Sequence, residues 1–280
     1  MHYMMHHCIL DARATSLPVR RKRLWMIAVQ SCHVPGDEMS DEGQAEHAFR
    51  SKAQALVERH TLSCPPSAAF EDFLIDCGDS DDAMAAWWPE TFAGIANNAS
   101  ADSCSFVLSK ADFEQRWPAE HEAMWAAIDV TLEDRCAMHE AMCGNNFFMQ
   151  FPTRQRDSIL LKMCEAKGPN CVKEDLQRCP GGRQDRDREE TVWDIKHSTS
   201  RITAAHGGMV CLLPASRVWL QHRKRSLAGA ESLALQGADL RRLRALRPGI
   251  WSSKFLQDLG GNAFCNGHFL VAFSSGLLLL

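Results

Sequence analysis

The stretch LDARATSLPVRRKRLWMIAV, Leu10–Val29, sets four consecutive basic residues, Arg20–Arg23, directly against an apolar run, Leu24–Val29. A short apolar run bounded by charges reads as a buried strand. A basic cluster at the mouth of a strand serves as an import signal, as a patch for a polyanion, or as one wall of a binding site. The abutting strand and the preceding Leu17-Pro18-Val19 favour a structural setting over a free tag.

Around this stretch the 280-residue chain is 45% hydrophobic and 24% charged, enough for a sizeable core in one large or two small domains. No apolar run approaches the ~20 residues that span a bilayer, and MHYMMHHC is not a secretory leader. The net charge of -4 hides an asymmetry. Residues 1–150 hold 11 Lys and Arg against 23 Asp and Glu, and residues 151–280 hold 20 against 12. A polyanion is therefore expected on the C-terminal half. The 12 cysteines form no CxxC pair and read as reduced intracellular thiols rather than disulfides or a zinc site.

Gln44–His60 has helical spacing, and Glu71–Ile75 reads as a short helical piece. Ser105–Leu108 reads as a strand. Ala119–Cys143 reads as one long helix, opened by Pro118 and closed by Gly144, with Cys136, His139 and Cys143 on an apolar face rather than around a metal. A further helix begins with Thr153 as its cap and stops at Gly168-Pro169. Residues 178–190 form a loop or linker, and Met209–Leu213 with Arg217–Leu220 reads as a hairpin about Pro214.

Three segments then belong side by side: Leu10–Val29, Arg217–Gly237 (RVWLQHRKRSLAGAESLALQG) and Phe255–Phe273 (FLQDLGGNAFCNGHFLVAF). In this order they resemble the last conserved blocks of the DNA (cytosine-5) methyltransferases. Pro18–Arg23 and the following strand match a Q-x-R-x-R block. Arg225–Gly237 matches R-x-L-T-x-x-E…L-Q-G, and Gly261–Phe264 matches the G-N block that opens a final helix. The match covers about sixty of the 280 residues. Val19 stands where the family has Gln, and Ala228 where it has Thr.

The resemblance implies an α/β fold: part of a Rossmann-like S-adenosylmethionine-dependent methyltransferase sheet with an inserted, irregular α+β target-recognition region. Core segments at 1–30 and 217–280 would flank that region at 31–216. It implies that Arg21 and Arg23 position the flipped base and the DNA backbone, since arginine's planar fork suits carbonyl and phosphate oxygens. Gly261, Asn262 and Ala263 would form a wall for S-adenosyl-L-methionine. The basic surface of Arg223, Lys224, Arg225, Arg241, Arg242 and Arg244 would contact DNA. Nuclear localisation follows from such a partner.

Methyl transfer to cytosine C5 needs a thiolate that adds to C6 and an acid at N3. The family carries these, with its cofactor loop, upstream of the Q-x-R-x-R block, where only 17 residues stand here. The expectation is a chain that is inactive by itself, with DNA and the missing N-terminal methyltransferase half as partners. The alternative is a non-catalytic DNA-binding or scaffold protein derived from a methyltransferase.

Overall fold

Residues 3–19, 21–30, 42–66, 68–76, 87–88, 117–178, 192–194, 218–239, 242–243, 251–263 and 265–279 are described by a computed structural model. Strands β1 (Tyr3–Asp11) and β2 (Lys22–Gln30) precede helix α1 (Glu42–Leu62). Helices α2 (Trp117–Ala127), α3 (Leu132–Ala141), α4 (Asn146–Met149), α5 (Thr153–Lys167) and α6 (Pro169–Arg178) follow. Then come β3 (Val192–Asp194), β4 (Val218–Leu220), β5 (Arg225–Ser226), α7 (Gly229–Ala234), α8 (Ser253–Asn262) and α9 (Asn266–Leu277). The described elements are mostly helical, with two small antiparallel sheets, β1-β2 and β3-β4-β5.

The parallel methyltransferase-type sheet expected from the resemblance is not formed by the described strands. β1 and β2 pair antiparallel along their whole length, from Tyr3 opposite Gln30 to Asp11 opposite Lys22. The reason is the short connection between them, since a parallel pair needs a crossover of about a dozen residues or more. That connection is a 3-10 turn at Ala12–Thr15, capped by Asp11 and closed by Ser16 at φ 73°. The Ala12 amide donates to the Arg21 carbonyl at 3.0 Å and fixes the exit into β2.

The run Leu24–Val29 lies inside β2 as expected, but only one face of it is buried. Ile27 and Val29 join Cys8 and Leu10 in a core with Phe49, Ala53 and Val57 of α1 and Val271 of α9. Tyr3, Met5, Ile9, Leu24 and Met26 line the opposite face, where Leu24 is 63% and Met26 72% exposed. α1 lies beneath β1 and α9 beneath β2.

The expected single helix over Ala119–Cys143 is two helices. Asp129 adopts φ 55°, and the Thr131 hydroxyl then caps α3 by accepting from the Asp134 amide at 3.1 Å. Asp tolerates the left-handed region and Thr is a strong cap, so local chemistry interrupts the periodicity. α5 starts at Thr153, but its N-cap is Pro152, with no side-chain cap. Gly168, at φ 83°, ends it as expected, and Pro169 opens α6 at once.

β4 is buried at all three positions and lies between β3 and β5. Its partners are thus β3 and β5, and the Met209–Leu213 half of the expected hairpin lies outside the described residues, as do Ser105–Leu108 and most of the 178–190 linker. Packing also crosses the expected boundaries. Trp219, Ala228 and Ala230 share a core with α2–α6, while Phe70 and Leu74 pack with Leu17, Val19, Leu227 and Leu235.

The helical body closes on one carboxylate. Asp157 on α5 is fully buried and accepts from Arg135 Nε at 2.7 Å and Nη2 at 2.9 Å. His121 Nδ1 donates to it at 2.5 Å, Trp125 Nε1 at 3.1 Å and His139 Nε2 at 3.2 Å. His121 and Trp125 are one turn apart on α2, and Arg135 and His139 one turn apart on α3. Each pair therefore shares a helix face. Burial alone would push the Asp157 carboxyl up, but the hydrogen bonds from His121 and His139 and the charge of Arg135 hold it far below its ordinary value. Burial lowers His139 in turn.

Replacing Asp157 by Asn breaks the buried ion pair and leaves Glu122 as the remaining carboxylate partner of Arg135; breaking a buried pair typically costs about 3–5 kcal/mol. Urea denaturation of Asp157→Asn is expected to show a loss of that order. The folded carboxyl titrates below the unfolded one, so its contribution is complete above about pH 4 and is lost as pH falls further. The variant is expected to lack that acid limb in a stability-against-pH profile.

Candidate functional site

The chain's two ends meet at Arg21. This side chain is 5% exposed, and its Nη2 donates to the carbonyls of Gly261 at 2.9 Å and Ala263 at 2.8 Å. Those carbonyls stand at the C-terminal end of α8, where the helix dipole is negative and acceptors lack intrahelical partners. A guanidinium placed there is held by geometry and charge together.

The second junction is built on Glu231, which is fully buried in α7. Its carboxylate accepts from Arg225 at 2.9 and 2.7 Å, from the Ile75 amide at 2.7 Å and from the Ala228 amide at 2.7 Å. The last bond is the Glu half of a capping box. Ala228 has no oxygen for the other half, and Gly229 N finds Ser253 Oγ at 2.9 Å instead. Arg225 also lies over the Trp88 ring, 4.7 Å from its centroid.

Glycine allows these segments to touch. A Cβ on Gly229 would stand 2.3 Å from Ser253 O, and one on Gly267 2.5 Å from Thr15 Oγ1. α7 therefore crosses α8, and the start of α9 meets the 3-10 turn, at backbone contact distance. Asn266 adds bonds to the Gln236 carbonyl (3.0 Å) and the Gly237 carbonyl (2.8 Å). Leu10–Val29, Arg225–Gly237 and Gly261–Asn266 thus converge on one region.

The individual side chains take positions that differ from the expectations. Arg21 faces helix carbonyls rather than solvent, while the neighbouring Lys22 is exposed and Arg20 lies outside the described residues. Arg23 is half-buried, with Nη1 donating to the Lys22 carbonyl at 3.1 Å. Gly261 and Asn262 end α8 instead of opening the last helix, which starts at Asn266. Carbonyls rather than amides gather there, and Asn262 Nδ2 donates back to Asp258 O at 3.0 Å. Ala263 is the C-cap of α8. Val19, in place of Gln, is fully buried beside Leu17 and Leu227.

Of the basic surface set, Arg225 is committed to Glu231, and Arg223 pairs with Glu71. Lys224 sits in the left-handed region at φ 48°, its carbonyl accepting from Asn145 Nδ2 at 2.9 Å. Arg242 is 91% exposed and 3.7 Å from Asp239. Arg241 and Arg244 lie outside the described residues. Cys64 is a poor nucleophile, because burial raises its thiol pKa and its Sγ donates to His60 O at 3.4 Å. Among the described residues no group of His, Cys, Asp and Glu is arranged to hold a metal. No described helix is long and apolar enough to cross a membrane.

Sequence reasoning overlooked Glu231 as the bridge to Ile75 and Asp157 as the hub of the helical body. The signal for Asp157 was present: two polar pairs at four-residue spacing, His121 with Trp125 and Arg135 with His139, inside otherwise apolar stripes. Glu71 was read as part of a helical piece and not as a partner. It accepts from His222 Nε2 at 2.5 Å and from Arg223. Burial would raise its carboxyl, but the bonds from His222 and Arg223 prevail and hold it at about 2.

Two outcomes follow for the junctions. Arg21→Ala is expected to cost about 1.5–3 kcal/mol, the usual range for hydrogen bonds to a charged group, and to speed amide exchange along β2. Glu71 contributes stability above its unfolded value near 4.3 and loses it as pH falls toward about 2. In a pH-dependent thermal melt, Glu71→Gln is expected to flatten that window, with a lower Tm above it and convergence on the parent protein at its acid end.

Comparison with protein-family models and with curated proteins gives no match to this chain. The likeness to cytosine-5 methyltransferases therefore stands on its three blocks alone.

Proposed function

We propose that this chain is a DNA-engaging part of a cytosine-5 methyltransferase-type system, with its methyltransferase-like segments at 1–30 and 217–280. The observation that supports this reading most is the Arg21 contact with Gly261 and Ala263, which joins two of the resembling blocks across 240 residues. Such a contact couples the basic block to the segment assigned to S-adenosyl-L-methionine. Within this reading, Arg21 positions the wall rather than touching a base, and Arg23, Lys224 and Arg242 supply DNA contacts. The thiolate and the glycine-rich cofactor loop come from a polypeptide outside these 280 residues. The chain by itself binds DNA and does not methylate it.

A second reading, a non-catalytic DNA-binding scaffold, is favoured by one feature: Val19, Arg21 and Arg225 are all committed to internal packing. S-adenosyl-L-methionine titrated calorimetrically into the chain plus an upstream methyltransferase half separates the two. Heat of binding supports the enzyme part, and its absence supports the scaffold.

Both readings require DNA affinity. Fluorescence anisotropy with a short duplex is expected to show binding that weakens steeply with salt, and Arg23→Ala or Arg242→Ala to reduce the log–log salt slope by about one contact each. Binding that is absent at low salt, or insensitive to salt, overturns the proposal.

A further inference from the structure

Among the described residues β2 pairs only with β1, and its other edge borders a groove of about 340 Å³. Five consecutive residues, Trp25–Val29, form one wall, and Phe269, Phe273 and Leu277 of α9 form the other. Side chains alternate along a strand, so five consecutive residues share a wall only if the strand presents its edge. The opposite wall is a stripe at four-residue spacing, with the Phe269 and Phe273 rings stacked at 5.3 Å and 13°. A strand edge facing an apolar helix is the geometry that accepts an added strand. Exposed edges are usually guarded by charge, proline or a bulge, yet Leu24–Val29 carries none of the first two and pairs with β1 in unbroken register.

We propose that the occupant is β2 of a second copy of this chain, paired antiparallel about a twofold axis through Met26. This inference is independent of the DNA reading. Three observations single out a second copy. First, centring on Met26 sets Leu24 opposite Ala28 and Trp25 opposite Ile27, each pair on one sheet face as pairing requires. Second, the same register sets Lys22 opposite the neutral Gln30 and Arg23 opposite Val29, so neither cation meets its own copy. Third, α9 lies beneath β2, and its exposed residues Phe269, Leu270, Phe273 and Leu277, with Leu278 at its C-cap, extend the surface beside that edge. At roughly 100 Å² each, half the burial of a large side chain, they offer roughly 500 Å². The paired edge supplies most of what remains of the ~800 Å² that one partner brings to a standard interface. The product is a four-stranded sheet, β1-β2-β2′-β1′, with the two α9 helices side by side below it.

Sedimentation equilibrium of the full chain tests this. A dimer is expected across about 1–100 μM. Met26→Lys places two ammonium groups opposite each other at the axis and is expected to weaken dimerisation by at least about tenfold. Leu132→Lys, equally exposed but on α3, is expected to leave it unchanged. Circular dichroism is expected to be the same for both variants, since Met26 is 72% and Leu132 64% exposed. Independently, nitroxide labels on Lys22→Cys are expected roughly 25–30 Å apart, the span of eight strand residues. A monomer at every concentration, a dimer equally tolerant of both lysines, or labels well beyond that distance overturns the proposal. Capture of an upstream methyltransferase polypeptide at this edge in place of self-association overturns it too.

Discussion

One buried carboxylate sets the arrangement of the helical body. A charge in an apolar interior is tolerable only when every lone pair has a donor. Asp157 meets that condition with donors from two other helices. The condition also works in reverse. α2 must present His121 and Trp125, and α3 must present Arg135 and His139, so the rotations of both helices about their axes are fixed. Apolar contacts alone, around Ile159, Leu160 and Met138, would accept several packings of similar energy. The polar hub selects one of them.

The same economy governs the other junctions. Four arginines, Arg21, Arg135, Arg223 and Arg225, each point at an acceptor of this chain. Arg21 and Arg225 come from the basic runs that suggested a nucleic-acid surface. A basic run in sequence is a statement about residue type, and whether the charge reaches solvent depends on what lies opposite. The α8 carbonyls lie 240 residues from Arg21 and cannot be anticipated by local reading, whereas Glu231 stands only six residues from Arg225. The segments around Arg21, Arg225–Gly237 and Gly261–Asn266 are nonetheless adjacent in space.

Much of the local structure was legible. The β2 strand, α1, the start of α5 and its stop at Gly168 follow from patterning and from glycine and proline chemistry. The errors have physical causes. Hydrophobic periodicity continues through Ile128 and Leu132 and conceals a break that Asp129 and Thr131 make through backbone and cap preferences. Leu24 and Met26 look like core in sequence, but the described elements cover only one side of the hairpin. The pairing of β4 with β3 spans 24 to 28 residues and the bond from Ile75 to Glu231 spans 156, separations at which single-sequence signals vanish.

The meeting of Thr15 with Gly267 carries a consequence for how this protein is made. The hairpin can form once Gln30 has been synthesised, but one of the helices that covers it begins 236 residues later, at Asn266. A two-stranded sheet in water is marginal by itself, and closing so long a loop delays its support. During synthesis α1 can cover the β1 side soon after the hairpin is made, but the β2 side waits for α9 to emerge. The hairpin is thus made well before it is fully secured, which makes it a segment that gains from chaperone cover on the ribosome.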